Sequence, residues 1–407
     1  MVATSAQTQA SAVQAFRPPR RILMGPGPSD VHPRVLQAVA APTIGHLDPD
    51  FVALMEEVKG LLRRTFRTGN ILTFPVSGPG SVGMETCLVN LIEPGDTVVV
   101  CRNGVFGQRM EQIARRCGAE VVTVDAPWGR AVDPEALEAA LARNPRASLV
   151  AFVHAETSTG AQSDAQALAE VAHRHDCLVV ADTVTSLGGT PVEVDAWGLD
   201  AVYSGTQKCL SCVPGLSPVT FGERALERVR GRRTPVQSWF MDVGLVADYW
   251  AGEGRRTYHH TAPVNAVYAL HEALRLLHEE GLERAWARHR LHHEALKAGL
   301  EALGLAFVVP EAERLPQLNA VRIPEGVDDA EVRTRMLREH GIEIGAGLGE
   351  LAGRIWRIGL MGYGAREDNV LACLRALGQV LAELGRDVSA EAAVEAARAC
   401  YLSAPRR

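Results

Sequence analysis

Between residues 70 and 221 the sequence alternates short apolar runs, rich in β-branched residues, with longer amphipathic stretches. Six runs have the length and composition of buried strands: Ile71–Phe74, Thr97–Val100, Glu120–Val124, Ser148–Val153, Cys177–Val180 and Leu216–Phe221. Segments between them, such as 134–141 and 165–173, carry apolar residues at helical spacing. This alternation predicts an α/β fold whose mostly parallel sheet is covered by helices on both faces. Ligands of such sheets bind at the carboxyl ends of the strands.

After Pro263 the pattern changes to long helices and two weaker strands, at Ala320–Ile323 and Ile355–Ile358. A chain of 407 residues is long enough for a large domain and a smaller α+β one. We therefore expect four parts along the chain. They are an N-terminal arm (1–20), a large domain (21–263), a small C-terminal domain that includes a connecting helix (264–386) and a C-terminal tail (387–407).

Composition narrows the class of partner. A net charge of -6 provides no basic field for nucleic acid. No apolar stretch approaches the length of a membrane span, and residues 1–20 contain no signal-peptide core. Eight scattered cysteines, several in apolar runs, are typical of buried thiols in a reducing compartment. We expect a cytoplasmic protein with a small-molecule partner and no nucleic acid or membrane.

A glycine-rich turn, Ser77–Gly83, follows the first strand and opens a helix near Met84. Backbone amides at such a helix start bind phosphate groups. Gly78, Gly80 and Gly83 also match a dinucleotide fingerprint, but the acid that this motif requires after the next strand is missing. A glycine turn without a ligand remains the other alternative.

Two charged residues follow buried strands. Asp182 ends the run that starts at Cys177, and Lys208 follows Ala201–Tyr203 after four small or polar residues. A lone aspartate at such a place is usually a helix cap or a solvated group, and a lone lysine is usually a surface charge. A buried carboxylate needs a cationic or hydrogen-bonded partner, for which a protonated pyridine nitrogen would serve, and a lysine that forms Schiff bases needs partial burial. The 26 positions between them leave room for one crossover between neighbouring strands.

Motifs along most of the chain resemble those of the class V aminotransferases of fold type I, in particular the alanine:glyoxylate and serine:glyoxylate group. The motifs cover roughly residues 21 to 385: Gly25–Ser29, Asn103–Arg109, Glu156–Gly160, Ser186–Pro191, Ser204–Lys208, Tyr258–Thr261 and Arg357–Leu360. The resemblance implies a large domain with a seven-stranded sheet, pyridoxal 5'-phosphate as cofactor, and a homodimer whose active sites are completed by the partner subunit. It implies transfer of an amino group from a small amino acid, alanine or serine, to a 2-oxo acid, glyoxylate or pyruvate.

The resemblance also assigns roles to residues. Lys208 would hold the cofactor as a Schiff base and move a proton, Asp182 would keep the pyridine nitrogen protonated, and Arg357 would bind the substrate carboxylate. Phe106 and Val184 would pack on the two faces of the ring, with Thr157 near its phenolic oxygen. The phosphate would lie against Gly80, Ser81 and Gln207, with Tyr258 and Thr261 reaching in from the partner subunit. Two positions of the phosphate site depart from the mammalian pattern, because Pro79 lacks a backbone donor and Ser81 replaces a histidine.

Three alternatives stay open beside the leading one: another amino donor such as ureidoglycine, a lyase of the cysteine desulfurase type, and a cofactor-free binding protein. A desulfurase needs a reactive cysteine after the lysine, yet Cys373 lies in an apolar helical stretch suited to burial.

Cys209 and Cys212 form a C-x-x-C motif without a second pair at zinc-site spacing, so we expect packed thiols and no metal. His289, His292 and His293 lie on a charged helix, for which we expect a solvated face.

Overall fold

A computed structural model describes residues 13–250 and 256–404 of the chain. Its strands are β1 Ile22–Leu23, β2 Leu72–Ser77, β3 Thr97–Arg102, β4 Glu120–Asp125, β5 Ala147–Val153, β6 Ala155–Glu156, β7 Ala161–Gln162, β8 Leu178–Asp182, β9 Ala201–Tyr203, β10 Leu216–Phe221, β11 Leu318–Arg322, β12 Ile342–Glu343, β13 Gly345–Ala346 and β14 Ile355–Gly359. Its α-helices are α1 Pro33–Val39, α2 Pro49–Phe66, α3 Gly80–Leu91, α4 Val105–Arg116, α5 Pro134–Arg143, α6 Ala165–Arg174, α7 Glu223–Arg230, α8 Val243–Trp250, α9 Val264–Glu280, α10 Leu282–Ala302, α11 Asp329–Glu339, α12 Glu367–Glu383 and α13 Ala390–Ser403. Short 3-10 turns lie at Glu311–Glu313, Gly349–Leu351 and Gly362–Gly364.

Seven strands form one sheet in the order β2-β10-β9-β8-β5-β3-β4. The strands from β9 to β4 pair in parallel, and β10 runs antiparallel to both of its neighbours. Each of the six predicted runs contributes a strand, and β9 is the seventh. The predicted α/β class with a mostly parallel sheet and flanking helices is therefore confirmed.

Buried strands and capped helices explain why the chain folds this way locally. The central strand β5 is buried at six of its seven positions, as expected for a strand covered on both faces. Helix α5 begins where the side chain of Asp133 accepts a hydrogen bond from the backbone of Glu135, with a proline at its first turn. Asp164 caps α6 in the same way. These caps determine where α5 begins, ahead of β5, and where α6 begins, ahead of β8.

A second apolar core lies among the C-terminal elements. The antiparallel sheet β11-β14-β13 packs with α10, α11 and α12. Helix α13 packs against α10 and α12 and buries Ala393, Val394 and Ala397 in this core. Met24 and β1, which pairs with β12, come from the start of the chain. Helix α9 instead packs on α1 and α2 and contributes to the core around the seven-stranded sheet. The division into four parts stays a prediction, and residues 1–12 of the arm and 405–407 of the tail lie outside the described residues.

The solvated histidine face expected on α10 is wrong. His289, His292 and His293 are all buried, because α10 is enclosed by α9, α12 and α13. Each ring has a specific partner: His289 accepts a hydrogen bond from the backbone of Gly362, His292 bonds to the Tyr401 hydroxyl, and His293 bonds to Oδ1 of Asn319. Helices of the described residues include none that is both long and apolar enough to cross a membrane.

Candidate active site

Asp182 is the last residue of β8 and lies at the carboxyl edge of the large sheet. It is 2% exposed, and its Oδ1 accepts a hydrogen bond of 2.8 Å from the backbone of Val184. Its Oδ2 accepts a hydrogen bond of 2.7 Å from the hydroxyl of Tyr203, the paired residue on β9. Burial raises the pKa of Asp182 to about 7. No lysine, arginine or histidine of the described residues lies within 4.0 Å of this carboxyl group, so its charge has no cationic partner among them.

Lys208 follows β9 in a loop on the same edge of the sheet. Its side chain is buried, its Nζ donates to the Pro26 carbonyl, and its backbone carbonyl accepts a 2.7 Å hydrogen bond from the Ser29 hydroxyl. Gly27 has a φ of 105°, and a Cβ there would overlap the lysine side chain. Burial, reinforced by the charge of Arg357, lowers the pKa of Lys208 to about 8. This amine is therefore neutral, and nucleophilic, far more often near physiological pH than that of an ordinary lysine.

The first turn of α3 forms a narrow concave surface near these residues. A Cβ on Gly80, the first residue of the helix, would lie 3.1 Å from Cγ2 of Val184 and 3.7 Å from Cα of Gly205. Gln207, two residues after Gly205, has a buried Oε1 without a hydrogen-bond partner among the described residues. Rotation of the amide would present its NH2 group there instead. The helix start and the amide together suit an anion.

An aromatic ring lies at the start of α4, where Glu156 organises the backbone. The fully buried Oε2 of Glu156 accepts hydrogen bonds from the backbone amides of Phe106 and Gly107, at 3.2 and 3.3 Å. Its Oε1 accepts two more from the backbone and hydroxyl of Ser158. Arg109, one turn further along α4, places its guanidinium 5.0 Å from the centre of the Phe106 ring.

Arg357 lies on β14 of the smaller sheet and is 7% exposed. Its Nε donates to the Ala346 carbonyl at 2.7 Å, and its Nη1 donates to the Thr157 carbonyl at 3.2 Å. Thr157 also hydrogen-bonds through its hydroxyl to Thr185, at 2.5 Å. Burial lowers the pKa of Arg357 to about 10, and no carboxylate of the described residues lies within 4.0 Å of it. The guanidinium therefore remains available for an external carboxylate.

Tyr258 and Thr261 lie on a separate, exposed segment. Tyr258 is 58% exposed and packs against His46, with the two ring centres 5.4 Å apart. Between them, His260 hydrogen-bonds through Nε2 to the Ser77 hydroxyl at 2.8 Å, just before the start of α3.

The structure thus brings together nine of the predicted site residues and leaves Tyr258 and Thr261 facing outward. The nine are Gly80, Ser81, Phe106, Thr157, Asp182, Val184, Gln207, Lys208 and Arg357.

Sequence reasoning assigned no role to Tyr203, Glu156 or Arg109. Tyr203 could have been found from strand pairing, because it precedes the lysine loop in the strand next to Asp182. Glu156 and Arg109 belong to the motifs Glu156–Gly160 and Asn103–Arg109, but their contacts are made with residues far away in the sequence. Cys209, Cys212 and Cys373 are buried thiols, as expected, and burial raises the pKa of each to about 12. Such thiols are protonated and poorly nucleophilic.

These contacts define a site with four complementary groups. It contains an amine of lowered pKa, a buried carboxyl group and a buried guanidinium that lack partners of opposite charge among the described residues, and a helix start that suits an anion. A ligand that complements this site would have a carbonyl carbon for the amine, a protonated ring nitrogen for the carboxyl group and an anionic group for the helix start. The guanidinium would bind the carboxylate of a second molecule.

Comparison with known proteins identifies chains that are similar over most of their length. The family model Aminotransferase class-V matches residues 30–364. A (S)-ureidoglycine--glyoxylate transaminase of Bacillus subtilis is 38% identical over 96% of this chain and 97% of its own. The alanine--glyoxylate aminotransferase of rabbit (Oryctolagus cuniculus) is 40% identical over 89% of this chain and 93% of its own. The crystal structure of a Nostoc alanine--glyoxylate aminotransferase, 47% identical, superposes with a TM-score of 0.89 and covers 93% of this chain and 100% of its own.

Proposed function

Since the chain belongs to the class V aminotransferases and is a pyridoxal-phosphate enzyme, we propose that it transfers the amino group of alanine or serine to glyoxylate or pyruvate at the site around Lys208. The observation that carries this proposal is that Lys208 and Asp182 lie in one site without contacting each other. Both are buried at one edge of the sheet, where the pKa of the amine is lowered and no cation of the described residues lies within 4.0 Å of the carboxyl group.

The described residues fit pyridoxal phosphate. Asp182 would hold the protonated ring nitrogen, and Val184 and Phe106 would pack on the two faces of the ring. Thr157 would hydrogen-bond near the phenolic oxygen. The amides of Gly80 and Ser81 and the unpartnered amide of Gln207 would bind the phosphate. When bound, the cofactor supplies an electron-withdrawing ring that accepts the electron pair released from the substrate α-carbon.

A comparison of the lysines of the chain favours Lys208 as the residue that holds the cofactor. The chain has three lysines, Lys59, Lys208 and Lys297. Lys59 is paired with Glu56, and Lys297 is paired with Glu294 and Glu311. Lys208 has no acid within 4.0 Å among the described residues, so its amine is available both to bind the cofactor and to take a proton from the substrate α-carbon.

Arg357 would orient the amino acid and the 2-oxo acid. Both of its existing hydrogen bonds go to backbone carbonyls, which fixes the guanidinium plane and leaves further N–H donors for a carboxylate. A carboxylate held in one orientation places the α-hydrogen toward the Lys208 amine. The alternative donor ureidoglycine would use the same arginine, so the donor is decided elsewhere in the pocket.

A homodimer is part of the proposal. Tyr258 and Thr261 are exposed on their own chain, which supports a contact with the phosphate site of a partner subunit. We also propose the cytoplasm as the compartment, which the eight free cysteines support.

The decisive experiment uses the purified protein, donors and acceptors. L-Alanine with glyoxylate should yield pyruvate and glycine, and serine and ureidoglycine tested as donors would rank the alternatives. Borohydride reduction followed by peptide mapping should find the cofactor on Lys208. Lys208→Ala should abolish both results, and Lys297→Ala serves as the matched control. Normal turnover by Lys208→Ala, or cofactor attached to another lysine, would contradict the proposal.

A further inference from the structure

Arg109 places a positive charge beside the first turn of α3. Resting on the proposed function, we infer that Arg109, acting with the Ser81 hydroxyl, is the charged anchor of the cofactor phosphate. The role goes beyond the backbone and amide contacts assigned above, because those groups contribute dipoles and no full charge.

The geometry directs the guanidinium toward the phosphate site. Arg109 Nη1 donates to Ser81 Oγ at 3.1 Å, and Ser81 is the second residue of α3. The same guanidinium lies over the Phe106 ring, which limits its freedom. Because Ser81 Oγ accepts this hydrogen bond, its own hydrogen is free to be donated to an anion.

In the part of the chain that the structure describes, Arg109 differs from the neighbouring arginines in having no acidic partner. Its neighbours Arg102 and Arg115 are paired with acids, the first with Asp125 and Glu111 and the second with Glu111. Arg109 has no acid within 4.0 Å among the described residues. Its side chain makes one hydrogen bond to the described residues, to the neutral hydroxyl of Ser81, which leaves most of its donors available for a ligand.

Other groups close to this turn cannot supply the charge. His260 bonds to Ser77, but burial lowers its pKa to about 4, so its ring is neutral at physiological pH. Pro79 has no backbone N–H to donate. Lys208 and Arg357 serve the carbonyl carbon and the substrate carboxylate in the proposed function. Among the described residues, Arg109 is therefore a cation that touches this helix start and remains available to a phosphate dianion.

A test compares two ligands that differ only in the phosphate. Dissociation constants of pyridoxal phosphate and of pyridoxal are measured for the apoprotein through the absorbance of the lysine adduct. Arg109→Gln should raise the constant for pyridoxal phosphate about 10- to 100-fold, the range for losing a hydrogen bond to a charged group. The constant for pyridoxal should change by less than about threefold. Arg116→Gln, at the exposed far end of the same helix, removes the same charge and should change neither constant.

Further variants separate charge from stacking and folding. Phe106→Leu should weaken both ligands, because the ring contact is common to them, and should weaken pyridoxal phosphate somewhat more, because the ring also restrains Arg109. Raised salt should weaken pyridoxal phosphate more for the wild type than for Arg109→Gln. Unchanged affinity of Arg109→Gln for pyridoxal phosphate, or equal weakening of both ligands, would overturn the inference. A wild type that forms no reducible adduct at Lys208 would instead overturn the proposed function itself.

Discussion

Tyr203 donates its phenolic hydrogen to Oδ2 of Asp182 across 2.7 Å, from the next strand of the same sheet. The bond opposes the effect of burial, because it favours the ionised carboxylate that burial disfavours. Val184 contributes a second donor to the other oxygen. The carboxylate is thus held in place before any cationic ligand arrives, which reduces the reorganisation needed on binding.

Removal of the tyrosine hydroxyl should destabilise the apoprotein most where Asp182 is ionised. Tyr203→Phe should lower the free energy of unfolding by about 1.5–3 kcal/mol at pH 8, the range for a hydrogen bond to a charged group. The loss should be smaller at pH 5, because the carboxyl group is then protonated. Urea denaturation at both pH values measures it, with Tyr268→Phe as a control on a half-buried tyrosine. Equal losses at the two pH values would argue against an ionised partner.

Asp182 should make apoprotein stability depend on pH. Its pKa is about 7 in the folded chain and about 3.9 in an unfolded one, so the folded state binds more protons between these values. Its contribution to stability is therefore greatest at low pH and falls as the pH rises from about 4 to about 7. The difference in unfolding free energy between wild type and Asp182→Asn isolates this contribution. A difference that stays flat over this range would show that burial does not raise the pKa.

Glu156 should be sensitive to replacement by its amide. Each of its carboxylate oxygens accepts two hydrogen bonds, so either orientation of a glutamine would aim its NH2 group at two donors. Glu156→Gln should lower the free energy of unfolding by about 1–3 kcal/mol, the cost of unsatisfied buried donors. It should also weaken cofactor binding, because the carboxylate holds the backbone of Phe106. Urea denaturation and cofactor titration measure the two effects, with Glu395→Gln on the exposed face of α13 as the control.

Arg357 should determine how well carboxylate substrates react. Arg357→Lys keeps a charge but loses the planar pair of donors, so kcat/KM for L-alanine should fall about 100-fold, equivalent to roughly 3 kcal/mol. An amine without a carboxylate, such as ethylamine, should be affected little. Steady-state kinetics with both donors test this, and Arg354→Lys, an exposed arginine beside the same strand, is the control. An equal loss for both donors would indicate a structural role.

Helix α13 should be needed for the second core. Gly378 on α12 faces Ala390, whose Cα would lie 2.7 Å from an added Cβ. Gly378→Ala should therefore lower the unfolding free energy by about 1–3 kcal/mol through overpacking. Gly385→Ala adds a methyl group with nothing within 4 Å, although its φ of 83° adds backbone strain. Gly304→Ala is a second control of the same kind, with a φ of 70° and nothing within 4 Å of the added methyl group. The two controls measure the cost of backbone strain without overpacking. If Gly378→Ala lowers the unfolding free energy no more than these controls do, α13 is not closely packed on α12.

Local patterns were enough to predict the fold class and most of the strands. The run at Cys177–Val180 is apolar because both faces of β8 are covered, and the same reason applies to Leu216–Phe221. The histidines of α10 were misjudged because the charged residues around them indicate a solvated face, and only packing against other helices buries the rings. The roles of the site residues remain proposals that the experiments above address.

The sequence by itself determined the α/β alternation, the family and the types of chemical group present, because these depend on residue type and spacing along the chain. Tertiary structure alone decided which groups meet. It placed Tyr203 against Asp182, Glu156 beneath Phe106, and Arg109 against Ser81, through contacts between segments 21 to 50 positions apart. It also decided which charges lack partners, since burial and distance, the quantities that set a pKa, do not exist until the chain has folded.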